Sequence, residues 1–236
     1  ELLTDIVFNS TFPQNEIDKE VEVIIDEIQS YEDSPSELIF DDFEELIFPD
    51  PPLGRNILGK PDLLREFTSS DALNFIYRPD NMVFFVQGNI PFDKVVQTME
   101  KIMTLAGIQP QPGERVKRTA PHPYSPCQRI LNKDPHQSHV MIGGRGYDAH
   151  NERRTGLYLL NNILGGPGMN SKLNIALREQ RGLVYNVESN LTSYTDTGAF
   201  CIYFGCDRKD EEKCIKLVHK ELQKICEKPM TSYQLN

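Results

Sequence analysis

The sequence predicts an α+β protein in which strands pair with their neighbours along the chain, not the strand–helix alternation of a doubly wound parallel sheet. Two long segments, 16–31 and 209–227, repeat apolar side chains at helical spacing. Residues 183–194 and 198–205 are strand-like runs joined by Thr195-Asp-Thr-Gly198, a hairpin signal. Apolar residues make up 39% of the chain and are spread along its whole length, which supplies a core and excludes general disorder.

Taken in order, Ile17, Val21, Ile24, Ile25 and Ile28 form one continuous stripe over a helix at 16–31, and Ser34-Pro35 closes it. A second helical pattern covers 36–48, followed by the turn-rich Pro49-Asp-Pro-Pro-Leu-Gly-Arg55. Short helices are expected at 63–67 and 70–77. Residues 82–87 (MVFFVQ) read as a buried strand, bounded by Asn81 and Gly88. A helix then starts at Pro91, with Phe92, Val95, Val96, Met99, Ile102 and Met103 on one face.

Between Gly107 and Pro126 the periodicity gives way to five prolines among basic and polar residues. This sets a domain boundary: residues 1–108, a linker at 109–126, and residues 127–236. The second part opens with a strand at 139–143 and a helix at 151–164 that ends in Gly165-Gly-Pro-Gly168. Asn170 or Ser171 caps a further helix running to Gln180, stopped by Gly182. The hairpin and the long helix at 209–227 complete it.

Lys and Arg total 25 against 35 Asp and Glu, a net charge of −10, which argues against a sequence-independent grip on nucleic acid. No apolar run approaches the ~18 residues of a membrane span. The chain starts at Glu1 and stops at Asn236, just after a fresh helix-start signal, so both ends read as cut from a longer protein. Five cysteines, odd in number and without C-x-x-C spacing, predict reduced and mostly buried thiols, not a disulfide framework.

Four residues stand out as candidates for chemistry. At 100° per residue, Glu20 and Glu27 share one face with Ile24 and Tyr31, at the edge of the apolar stripe. Carboxylates so placed need partners: cations, hydrogen-bond donors, a metal, or ordinary salt bridges at a half-exposed position. Arg178 and Tyr185 lie on either side of a helix-to-strand junction, Arg178-Glu-Gln-Arg-Gly-Leu-Val-Tyr185. Together they could donate hydrogen bonds to a peptide carbonyl, although a cation in a last helical turn also has an ordinary electrostatic reason to be there. The five histidines form no H-x-x-x-H, H-E-x-x-H or H-x-x-E-H, and His136 and His139 are expected at the surface. The glycines of 165–168 lack the residues of a phosphate loop and read as a tight turn that lets another backbone approach.

In sequence order, Glu20-Val-Glu-Val-Ile-Ile-Asp-Glu27, Tyr31-Glu-Asp, Pro52-Leu-Gly-Arg-Asn-Ile-Leu-Gly59, Val86-Gln-Gly-Asn-Ile90, Leu160-Asn-Asn-Ile-Leu-Gly-Gly166, the Arg178–Tyr185 stretch and Ser193-Tyr-Thr-Asp-Thr-Gly198 resemble the pitrilysin/insulinase family. These are the inverted zincins, which include the mitochondrial processing peptidases. The resemblance implies a processing-peptidase-like metallohydrolase fold. It has two similar α+β domains, each a mostly antiparallel sheet with helices packed on one side, around a peptide-binding chamber, and both are incomplete in this chain. It implies that Glu27 is the third ligand of a Zn2+ ion, that Glu20 supports the site without binding the metal, and that Arg178 and Tyr185 reach the substrate as catalytic groups.

The family's H-x-x-E-H, which supplies two histidine ligands and the glutamate base, is absent from these 236 residues and is expected upstream of Glu1. The resemblance therefore implies a zinc-dependent endopeptidase as the parent protein, with this chain an inactive fragment of it; the alternative is a non-catalytic scaffold or partner subunit of the same fold. Retention of Glu20, Glu27, Arg178 and Tyr185 favours the enzyme. The implied partners are a peptide substrate and either a second copy or a homologous subunit.

Overall fold

The computed structural model describes residues 2–49, 52–74, 82–108, 125–133 and 136–228. The chain divides into two compact units, Glu1–Ile28 with Leu58–Arg118, and Gln29–Ile57 with Thr119–Asn236. The expected linker at 109–126 falls almost wholly outside the described residues. Residues 29–57 group with the second unit.

The first unit holds helices α1 (Leu2–Phe8), most of α2 (Gln14–Glu32), α4 (Pro61–Leu64), α5 (Ser69–Asn74) and α6 (Phe92–Leu105). The helix expected at 36–48 is observed as α3 of the second unit, which spans Pro35–Ile47 and takes Pro35 into its first turn. The start of α2 is tied to the α4–α5 connection. The Ser69 amide donates to Gln14 Oε1 at 2.9 Å, and the Ser69 hydroxyl donates to the Phe12 carbonyl at 2.6 Å. Thr68 and Asp71 cap α5 reciprocally, with the Thr68 hydroxyl 2.6 Å from Asp71 Oδ2 and the Asp71 amide 3.3 Å from the Thr68 hydroxyl. The hydrogen bonds from Thr68 hold the Asp71 carboxyl below its ordinary range. The predicted end of α5 beyond Asn74 lies outside the described residues.

The strand expected at 82–87 does not form. The segment carries no ladder and is exposed throughout. β-propensity describes how well a side chain suits a paired, half-buried surface, and the described residues of this unit contain helices but no strand to pair with.

The second unit is built on an antiparallel sheet of β1 (Ser138–Gly146), β2 (Val184–Ser193) and β3 (Gly198–Cys206), in the order β1-β3-β2. Ser138 stands opposite Cys206 and Gly146 opposite Gly198, while Ser193 also faces Gly198 across the hairpin. The central strand β3 is covered on both faces, and its side chains divide by the period of two. Ile202, Phe204 and Cys206 join Leu164, Leu173, Leu177, Cys214 and Val218, from α7 (Arg154–Gly165), the short helical segment after it and α8 (Glu211–Glu227). On the other face, Ala199 and Cys201 pack with Phe43, Ile47 and Phe48 of α3 and the residue after it. The helices of the second half thus line one side as expected, and α3 takes the other.

Polar contacts fix both layers. Arg145 Nε and Nη2 donate to the Ile47 carbonyl at 3.1 and 3.0 Å, and its guanidinium lies 5.2 Å from the Phe48 ring centre. This satisfies a free carbonyl at the end of α3 with a cation. Tyr194 donates to Glu44 Oε1 at 2.9 Å. The glycine-rich turn does admit another backbone: a Cβ on Gly165 would lie 2.7 Å from the Ser189 amide nitrogen.

Two further expectations are corrected. The helix expected up to Gln180 is a π-helix over Asn174–Glu179, whose wider turn carries buried Asn174, Ala176 and Leu177 on the core side. His139 is not a surface residue. It is half-buried, stacked on Tyr203 with Nδ1 2.9 Å from the phenol oxygen, and burial lowers its pKa. Cys201, Cys206 and Cys214 are buried and Cys127 and Cys226 exposed, all as free thiols. Among the described residues, no helix is long and apolar enough to cross a membrane.

Candidate functional site

Helix α2 carries seven acidic residues and a single lysine. Its buried sector is narrow, formed by Val21, Ile25 and Ile28, with Ile24 half-buried beside it. At 100° per residue, Glu20 and Glu27 lie roughly 110° and 130° from the middle of that sector, beyond Ile24. Both are accordingly exposed. Neither makes a salt bridge or a side-chain hydrogen bond among the described residues, whereas Glu16 pairs with Lys19 at 2.8 Å and Glu22 lies 4.0 Å from Arg65.

These two carboxylates are seven residues apart, roughly 10 Å along the helix axis. Zinc–carboxylate bonds are about 2 Å long, so one ion can bind only one of them directly. Among the described residues, no three His, Cys, Asp or Glu side chains converge to hold a metal ion. The residues present therefore do not fit zinc by themselves. They can contribute one carboxylate to a site whose other ligands come from elsewhere.

Arg178 and Tyr185 belong to the second unit and bracket one short helix-to-strand connection. Arg178 lies in the last turn of the π-helix, a geometry found often at functional sites. Gly182, at φ +58°, ends the segment. Its amide donates to the Arg178 carbonyl at 2.7 Å, and the Leu183 amide to that of Leu177 at 3.0 Å. With Ala176 and Leu177 buried, the Arg178 side chain is turned outward and exposed. Its guanidinium makes no hydrogen bond or ion pair among the described residues.

Tyr185 is the second residue of β2 and is 58% exposed, which leaves its hydroxyl accessible. That hydroxyl donates to Asp207 Oδ1 at 2.9 Å, and Lys209 Nζ lies 3.3 Å from Asp207 Oδ2. The hydrogen bond to the carboxylate raises the Tyr185 pKa, and the same bond, with Lys209, lowers that of Asp207. Asp207 and Lys209 were not among the residues singled out from the sequence. Asp207 directly follows the last residue of the β3 run, but its contact with Tyr185 depends on the β2–β3 register, which no local pattern encodes.

The sequence profile of the Peptidase M16 inactive domain matches residues 71–236. The chain is 34% identical over 230 residues to an "uncharacterized zinc protease" of Rickettsia felis, an alignment covering 96% of this chain and 55% of that protein. It is 31% identical over 238 residues to the "uncharacterized zinc protease YmxG" of Bacillus subtilis, covering 100% and 57%. The chain thus spans about half the length of the curated relatives it matches. Among solved structures, the peptidase M16 inactive domain from Pseudomonas fluorescens superimposes with a TM-score of 0.82 at 19% identity, covering 99% of this chain and 57% of that one. A chain of complex III2 from Candida albicans gives a TM-score of 0.76 at 15% identity, covering 92% and 53%. At these identities the structural likenesses establish the fold, and the profile match, extending over more than half of the chain, establishes the lineage: the protein belongs to the peptidase M16 family.

Proposed function

We propose that the protein containing this chain is a zinc-dependent endopeptidase, in which Glu27 is the metal ligand this chain contributes and Glu20 supports it. The histidine ligands and the general base are not in these residues, so the chain by itself neither holds zinc tightly nor cleaves peptides. The observation that carries this reading is the state of Glu20 and Glu27: exposed, on one strip of a strongly acidic helix, with no cation paired to either among the described residues. The zinc-protease names of the relatives support it.

In the second unit, Arg178 offers a permanently charged, donor-rich guanidinium to a peptide carbonyl or a developing oxyanion. Tyr185 contacts the same peptide main chain. A peptide in extended form, aligned by main-chain hydrogen bonds, is the substrate class that suits such groups. The likeness to a complex III chain favours a second reading, a non-catalytic subunit paired with a homologue. An H-x-x-E-H in the remainder of the parent sequence decides between the two.

The test is zinc stoichiometry and affinity in the intact protein. Glu27→Gln should strip the metal, because a neutral amide is a poor zinc ligand. Glu20→Gln should retain it with affinity weakened about 10–100-fold. Arg178→Ala should lower kcat/KM by about 100-fold at unchanged zinc content. Native zinc affinity in Glu27→Gln would refute the ligand assignment.

A further inference from the structure

Helix α3 does not cover the whole second face of the sheet. It lies over β1 and β3, where Ala199 and Cys201 pack against it, and stops short of β2, the outer strand in the order β1-β3-β2. On β2, Asn190 stands opposite Cys201 and Thr192 opposite Ala199, so these four side chains share that face. Asn190 and Thr192 are exposed. The space left between α3 and β2 is a cavity of about 250 Å³.

Its sides differ in chemistry. Phe40 and Phe43 form the α3 side, Asn190 and Thr192 the β2 side, and Ala199 and Cys201 the floor. The floor is low because β3 carries small residues here, whereas Ile202 and Phe204 fill its other face. An apolar group that enters such a hollow gains dispersion contacts with the lining. A volume of 250 Å³ falls below the ~300–1,000 Å³ of pockets that enclose whole small molecules, and suits a single side chain. Glu44 is the one charged residue among the described residues lining it, and its Oε1 accepts the Tyr194 hydroxyl at 2.9 Å. With no cation beside it, that carboxylate repels an acidic side chain.

Strand β2 also links the cavity to Tyr185. The strand starts with a bulge, since Val184 stands opposite Cys206 and Asn186 opposite Gly205, with Tyr185 the extra residue. Asn190 and Thr192 follow Tyr185 by five and seven residues, roughly 17–23 Å along the strand. An extended peptide rises by the same amount per residue. A peptide that touches Tyr185 and runs along β2 therefore carries one residue over the cavity five to seven positions away, while that residue's two neighbours point to the opposite side.

We propose that the cavity between α3 and β2 is a subsite for one uncharged apolar side chain of the peptide substrate, five to seven residues from the scissile bond. The inference rests on the reading of Tyr185 as a substrate-contacting group and adds a specificity determinant remote from it.

The test uses the intact, zinc-loaded protein and peptides of one cleavable sequence, extended with Gly and Ser, in which a single Leu is moved from position to position. At one position five to seven residues from the scissile bond, Leu should lower KM about tenfold relative to Ala. Leu at the adjacent positions should have no effect, and Asp at that position should raise KM. Thr192→Phe and Asn190→Phe place an aromatic ring at the open side of the cavity, on exposed strand positions that accept one. Both should abolish the difference between Leu and Ala, and Thr192→Ala, which leaves the cavity open, should keep it. Independently of cleavage, fluorescence anisotropy with a peptide whose scissile amide is replaced by a methylene-amine should show the same tenfold difference in Kd, lost in Thr192→Phe. In a protein that cleaves these peptides, the absence of any discriminating position overturns the proposal. So does a Leu preference that survives in both Phe variants, or a larger gain from Lys than from Leu. Discrimination in Kd without cleavage of any peptide upholds the subsite and overturns the endopeptidase reading alone.

Discussion

Two apolar runs in this chain, residues 82–87 and Gly198–Cys206, have similar character and opposite fates. In the first, Val83 is 94% and Phe85 80% exposed, and no ladder forms. In the second, Ile202 and Phe204 are fully buried, and hydrogen-bonded strands flank both edges. Both have the β-branched and aromatic residues that favour strands. The difference lies in what surrounds them. β3 has a hairpin partner four residues away in sequence, a second partner in β1, and helices over both faces. A strand is a property of a pair, and composition describes only one member.

That contrast predicts unequal costs for equal substitutions. In urea unfolding of the 236-residue chain, Phe204→Ala should cost about 3–5 kcal/mol, because the cavity it leaves lies in a core that cannot collapse freely. Phe85→Ala should change stability by less than about 0.5 kcal/mol. Comparable losses from the two would mean that 82–87 is buried in solution.

A smaller effect sharpens the comparison through glycines. Gly165→Ala should cost about 2 kcal/mol, since the added methyl would overlap the Ser189 backbone and push α7 off β2. Gly88→Ala, just past the unpaired run and with no atom near its would-be Cβ, should be close to neutral or slightly stabilising. Paired thermal melts of the two variants check it, and equal shifts would contradict the packing of α7.

The most gradual effect is one of pH. Burial pushes the Cys201 thiol up to about 11, the Cys206 thiol to about 12 and the Tyr194 phenol to about 12. All three belong to the β2–β3 hairpin, and each favours its protonated form in the folded state. Their stabilisation is fully present below the ordinary thiol and phenol values of 9.0 and 10.0 and is lost as pH rises through the folded values. Melting temperature should therefore fall between about pH 9 and 12, and Cys206→Ala should make that fall shallower. A wild-type melting temperature flat across this range would show that the hairpin's thiols and phenol are solvated.

Helix existence was legible wherever a stripe of period 3.6 was long: α2, α6 and α8 all formed close to their expected bounds, because that information is local. So was the β2–β3 hairpin, whose turn and two flanking runs lie within about twenty residues. The likeness of the ordered motifs to a metallopeptidase family was also legible, and the profile match over residues 71–236 bears it out at the family level. The tertiary structure decided what depends on distant partners. It left 82–87 unpaired, gave the second face of the sheet to α3 from more than ninety residues upstream of β1, and stacked a half-buried His139 on Tyr203. It also inserted the bulge that turns Tyr185 toward Asp207. Register is fixed by the joint burial of two strands and not by either one, and a shift of a single residue moves a side chain to the opposite face. For that reason the sequence could nominate Tyr185, and only the folded sheet could supply the carboxylate that accepts its hydrogen bond.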